Sequence, residues 1–180
     1  METIALFGGS FDPPHIAHET VVKEALKIKD VDKVVLMPTF LNPFKSNSCA
    51  PSELRLLWLK KIFASYENVE ISSYEVDLKT KVSSIDSVKY LLKRYKKIYL
   101  IIGADNLKSL HLWDRYDELK SLVTFVVATR DKIKVPDNFL TLKVEDTISS
   151  TKLRDDIDSS MLPKVCSKEI IKFYKEKNDK

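Results

Sequence analysis

Short β-branched and apolar runs alternate with longer amphipathic stretches along this 180-residue chain. That alternation predicts an α/β fold, a mostly parallel sheet with helices on both faces. Two further observations agree. The run IYLIIG (98–103) is almost continuously apolar, as a strand buried on both faces must be. The chain's three glycines, Gly8, Gly9 and Gly103, all fall at the carboxyl ends of predicted strands. In an open parallel sheet, ligands bind at those ends, in the crevice where strand order reverses.

Taken in order, TIALF (3–7) reads as a buried strand, followed by a turn and a helix over about 16–29. In that helix Val22 and Leu26 share a face, while Ile16 and Val21 fit it loosely. KVVLM (33–37) is the second strand, ended by Pro38. Residues 38–52 form a loop rich in Pro, Ser and Asn, of a length that is often functional. A helix follows over Ser52–Tyr66, with Leu54, Leu57, Trp58 and Ile62 on its buried side. VEIS (69–72) is a third strand, and a polar connection leads to a helix over 84–96 carrying Ile85, Val88, Leu91 and Leu92. After IYLIIG come two short helices in 106–121, the strand LVTFVVA (122–128), a last strand near 140–144, and helices near 151–159 and 167–177. The expectation is Rossmann-like: one domain over 1–180, with residues 146–180 forming a C-terminal helical part.

Composition narrows the class. Hydrophobic residues at 44% leave enough apolar side chain for a sizeable core. The formal charge of +4 weakly favours anionic partners, and much of it sits in Lys-rich stretches that read as solvated faces. There is no basic stripe interleaved with aromatics, so nucleic acid is not an expected partner. Cys49 and Cys166 fit no zinc-ligand spacing and no secreted disulfide framework. No window reaches transmembrane length and the N-terminus shows no leader pattern, so a cytoplasmic location is expected and a membrane is not.

The densest chemistry lies in ALFGGSFDPPHIAHE (5–19), which holds two of the three glycines and two of the three histidines. Gly8–Gly9 reads either as a tight strand-to-helix turn or as a site where a ligand approaches the backbone closely. The stretch lacks both GxGxxG and the GK[ST] ending of a phosphate loop. His15 and His18 are three apart at a predicted helix start and can share one face. Free backbone N–H groups there already favour an anion, and imidazole N–H groups extend such a site onto phosphate. Metal ligation or a purely structural role are the alternatives; their charge state is not assigned by the sequence. In DTISSTKLRDDI (146–157), Ser149, Ser150 or Thr151 caps a helix, with Arg154 one turn on, pointing toward the same anion. Asp105, just past Gly103, caps a helix, bonds a ribose or helps hold hydrated magnesium. Trp113 stacks on a heterocycle or belongs to the core. His111 has no assignment.

GGSFDPPHIAH (8–18) together with ISSTKLR (148–154) resembles the nucleotidyltransferase superfamily that includes adenylyltransferases and class I aminoacyl-tRNA synthetases. HIAH (15–18) is similar to its HxGH element, with Ala17 in place of glycine. Across the whole chain PTFLNPFK, SELRLLWL, SSIDSVKYL, LIIGADNLKSLHLW and ISSTKLRDDI follow the order of the bacterial nicotinate-nucleotide adenylyltransferases. The resemblance implies that ATP is bound by Gly8, Gly9, Ser10, Phe11, His15, His18, Gly103, Asp105, Ser149, Ser150, Thr151 and Arg154. Of these His15, His18 and Arg154 would be catalytic. Lys45, Ser84 and Trp113 would bind the mononucleotide, Trp113 by stacking on its ring, whose carboxylate would be held by backbone N–H groups. Mg²⁺ would accompany ATP, with no residue assigned as its ligand.

The implied reaction is adenylyl transfer from ATP to nicotinate mononucleotide, giving deamido-NAD and pyrophosphate. Departures from the pattern fall mainly on the acceptor side: Phe44 replaces a histidine, Ser83 a tyrosine, and Ser84 and Ser87 threonines. Preference for nicotinamide mononucleotide, transfer to phosphopantetheine, and a non-catalytic nucleotide-binding module are the alternative functions. The long middle region and Trp113 argue against phosphopantetheine.

Overall fold

The computed structural model describes residues 1–129, 133–144 and 148–179. Six strands, β1 (Thr3–Gly9), β2 (Lys33–Pro38), β3 (Val69–Ile71), β4 (Lys97–Gly103), β5 (Thr124–Thr129) and β6 (Leu140–Lys143), form one sheet. Their order is β3-β2-β1-β4-β5-β6, and every pairing is parallel. The order reverses between β1 and β4, so a crevice opens at their carboxyl ends. Gly8 and Gly9 end one of these strands and Gly103 the other.

Side-chain alternation along the strands builds two cores. Ala5, Val34, Leu36 and Ile101 face one way, onto α1 (Ile16–Ala25), α2 (Ser52–Ile62) and α7 (Ser167–Asn178). Ile4, Leu6, Val35 and Leu100 face the other, onto α4 (Ser84–Leu91), α5 (Tyr116–Leu122) and the 3-10 segment Ala104–Leu112. Apolar side chains on both faces are what a sandwiched parallel sheet requires. Beyond β6, the C-terminal segment carries α6 (Ser150–Asp155), a 3-10 turn at Ser159–Met161, and α7; Leu153, Ile170 and Tyr174 join the first core. Residues 146, 147 and 180 of the expected C-terminal part lie outside the described residues.

Several elements differ from expectation. The helices expected over 16–29, 52–66 and 84–96 stop at Ala25, Ile62 and Leu91. Beyond them the chain tightens into three-residue turns, such as Lys27 N–H to Glu24 O, as helix ends commonly do. The polar connection after β3 contains a helix, α3 (Tyr74–Leu78), closed by Lys79 in the left-handed region. The buried face of α2 is also rotated. Leu57 is 45% exposed and Leu54 only half-buried, whereas Arg55 is fully buried.

Arg55 explains that rotation. Its Nε donates to Ala50 O, Nη1 to Ser10 O, and Nη2 to both Thr39 O and Phe40 O. One guanidinium therefore ties the turn after β1 to both ends of the 38–52 loop. A second buried charge completes the arrangement. Asp12 accepts from the backbone N–H groups of Cys49 (2.7 Å) and Ala50 (2.9 Å), and from the Tyr174 hydroxyl of α7. Burial pulls the Arg55 pKa down, and the Asp12 charge is the first of several that oppose this.

A lysine ammonium is a compact charge that cannot span carbonyls from three segments. Arg55→Lys is therefore expected to lower unfolding free energy by about 2–4 kcal/mol, through buried carbonyls left without donors. Urea denaturation measures this; a loss under about 0.5 kcal/mol would contradict the role given to Arg55.

Candidate active site

The three glycines meet over the crevice. Gly8, Gly9 and Gly103 line two adjoining cavities, one of about 230 Å³ toward α4 and one of about 180 Å³ toward α1. None of them has positive φ. Their contribution is space. A Cβ on Gly103 would stand 2.6 Å from Asp105 Oδ1, and one on Gly9 would touch the Phe11 ring at 3.4 Å. The left-handed turn falls on Phe11 instead (φ 48°). Its ring is pinned edge-on by Phe7 at 5.3 Å and by His18 at 4.8 Å.

The α1-side cavity gathers His15, His18, Asp105 and Asn106 around the glycines. His15 is the residue before α1 and His18 lies in its first turn; their rings stack with centroids 3.7 Å apart. The His15 backbone N–H donates to His18 Nδ1 at 3.0 Å. With Nδ1 accepting, the neutral ring carries its hydrogen on Nε2, a defined donor.

The α4-side cavity is lined by Ser83, Ser84 and Trp113, with Phe44 and Asn42 from the long loop. It also contains Glu75, a residue that sequence reasoning missed because its stretch reads as a polar connection. Glu75 is buried on α3, and its Oε1 accepts from Ser87 Oγ of α4 at 2.7 Å. Burial pushes its pKa up to about 7, with the Ser87 bond and the Arg55 charge opposing.

A third concavity holds Lys45, Ser46, Asn47, Thr151 and Arg154, and Phe44 lines both it and the α4-side cavity. Arg154 donates to Asp12 O at 2.6 Å and to Thr151 Oγ1 at 3.2 Å, so it is docked on the loop that leads to His15. Lys45, expected beside the mononucleotide, is grouped here with Thr151 and Arg154. Other expected residues stand back from the cavities. Ser149 caps α6, accepting from Lys152 N–H, and Ser150 Oγ donates to Pro13 O. The Ser10 carbonyl serves Arg55, and the Phe11 side chain is in the core. His111 is exposed.

Among the described residues no group of three or more His, Cys, Asp or Glu is arranged to hold a metal ion. No described helix is long and apolar enough to cross a membrane.

A cytidylyltransferase-like family profile matches residues 6–156. A Sulfurimonas denitrificans protein named a nicotinate-nucleotide adenylyltransferase is 60% identical over 180 residues, spanning 100% of this chain and 99% of its own. The chain belongs to the cytidylyltransferase-like family, in its nicotinate-nucleotide adenylyltransferase branch. A Nitratiruptor relative of the same name is 48% identical over 96% of this chain and 98% of its own. The fold of this adenylyltransferase is also that of the Plasmodium falciparum nicotinic acid mononucleotide adenylyltransferase solved in complex with NaAD. The two share a TM-score of 0.79 at 18% identity, over 97% of this chain and 98% of that one.

The buried Glu75 gives the adenylyltransferase a signature in its stability. Its ordinary pKa of 4.5 applies to the unfolded chain and about 7 to the folded one. The stability tied to its proton is complete below the lower value and is lost as pH rises through the upper one. Glu75→Gln removes this titration. The stability of the variant relative to the unaltered protein is therefore expected to rise by about 3 kcal/mol between about pH 4.5 and 8. Urea midpoints across that range check it; a flat difference would contradict the burial of a titrating carboxyl.

Proposed function

We propose that the chain transfers the adenylyl group of ATP to nicotinate mononucleotide, giving deamido-NAD and pyrophosphate in NAD biosynthesis. The observation that carries the reading is the pair of cavities joined over Gly8, Gly9 and Gly103. It suits two nucleotides laid end to end with their phosphates over bare backbone. The names of full-length relatives support the same reaction.

ATP takes the α1 side, with its phosphates along His15 and His18 and toward the concavity of Lys45, Thr151 and Arg154. The mononucleotide takes the α4 side, its flat ring against Trp113 and its polar groups near Ser84. An oxygen of the acceptor 5′-phosphate attacks the ATP α-phosphorus. The bond from that phosphorus to the bridging oxygen breaks, and pyrophosphate leaves with the electron pair. Phosphate is already a competent nucleophile near neutral pH, so the protein contributes alignment and charge stabilisation.

His18 donates through Nε2–H to the α-phosphate as negative charge grows there. Its orientation is set by the His15 backbone and the Phe11 ring. Lys45 and Arg154 offset the charge of the departing pyrophosphate. Mg²⁺ would accompany ATP and the departing pyrophosphate, with Asp105 the carboxylate that lines the ATP side of the cleft. A cytoplasmic setting suits these soluble substrates.

Pyrophosphate release from Mg-ATP is measured with nicotinate mononucleotide, nicotinamide mononucleotide and phosphopantetheine offered separately. The expected result is the highest kcat/KM with nicotinate mononucleotide; ATP binding without release from any acceptor would favour a non-catalytic module. His18→Ala is expected to lower kcat by about 10²–10³-fold, with little change in the KM for ATP. An unchanged kcat would remove His18 from the mechanism.

A further inference from the structure

Buried polar atoms without a protein partner are rare in folded proteins, and each calls for an explanation such as a functional role, a water or an ion. Thr39 Oγ1, Glu75 Oε2 and Trp113 Nε1 are such atoms among the described residues, and all three residues line the α4-side cavity. Trp113 supplies an N–H donor that needs an acceptor. Glu75 supplies an oxygen whose character depends on its proton.

The placement of Glu75 is specific. Glu75 is 5% exposed, and its Oε1 is held by Ser87 of α4. The start of α4 brings Ser83 and Ser84 into the same cavity, so Glu75 shares it with the helix end expected to receive the mononucleotide. The charged and titratable groups around it are few. Arg55 acts on it from α2, and Tyr74 is its neighbour on α3. Asp77 of α3 accepts from Ser73. Asp86 of α4 is paired with Arg115 and accepts from Ser83.

We propose that Glu75 is a specificity-determining residue that reads the acid or amide group on the acceptor ring. Protonated, it donates Oε2–H to a ring carboxylate; ionised, it repels that carboxylate and accepts instead from a carboxamide N–H. This rests on the functional reading above. It makes acceptor choice depend on pH, because an ionised carboxyl beside a second carboxylate is disfavoured. The value of about 7 places the change within the physiological range.

The test is the ratio of kcat/KM for nicotinate mononucleotide to that for nicotinamide mononucleotide, from about pH 6 to 8. The 5′-phosphate titrates alike in both acceptors and cancels in the ratio. In the unaltered protein the ratio is expected to fall about tenfold or more over that range, since kcat/KM reports the free-enzyme ionisation. In Glu75→Gln the ratio is expected to be flat. Ser87→Ala, which removes a bond that favours the ionised form, is expected to move the midpoint upward. A ratio in the unaltered protein that does not change with pH overturns the assignment, whether or not the variants fold. So does a Glu75→Gln profile that still falls. Turnover of neither mononucleotide at any pH overturns the functional reading, and the assignment with it.

Discussion

The site depends on one buried guanidinium. Arg55 has no exposed surface, yet it is satisfied by carbonyls from Ser10, Thr39, Phe40 and Ala50. Desolvating such a group is costly, and the cost is offset only while all those carbonyls stay in place. The turn after β1, the end of β2 and the start of α2 are thereby fixed to one another. Asp12 extends the constraint to the C-terminus through Tyr174. The long loop is therefore anchored at both feet. Its crest, residues 43–47, carries Phe44 and Lys45 into the cavities, braced by the Asn42 side chain and backbone.

That frame explains why the chemistry can be sparse. Phosphoryl transfer between two bound polyanions needs alignment more than it needs a nucleophile or base. The reversal of strand order supplies the crevice, and bare glycine backbone keeps its floor open. Gly103 shows the spatial requirement most plainly, since the place of its absent Cβ is taken by Asp105 Oδ1. His18 then needs only a defined donor direction, which the His15 N–H and the stacked rings provide.

Much of this was legible in the sequence. Strand runs as apolar as IYLIIG can only be central, and three glycines at strand ends mark the crevice. The histidine pair and Trp113 were found because their spacing or bulk is distinctive, and each lines a cavity. What was missed shares one physical cause: tertiary contacts that leave no periodic trace. Arg55 breaks the apolar pattern of α2, and a pattern search assigns the buried face to Leu57 instead. Glu75 sits in a five-residue helix too short to show a periodic pattern. The left-handed turn falls on Phe11 rather than on a glycine, because aromatic packing holds it there. Ser149 and Ser150 also serve the backbone, Ser149 Oγ accepting from Lys152 N–H of α6 and Ser150 Oγ donating to Pro13 O.

The central claim is that one cleft, divided by the glycines, holds two nucleotide halves in line. The structure of the protein with deamido-NAD bound tests it most directly. The account predicts the adenosine beside His15, His18 and Asp105, the pyridine ring against Trp113 near Ser84, and the bridging diphosphate over Gly8 and Gly9. Both rings in one cavity, or a diphosphate away from the glycines, would contradict it.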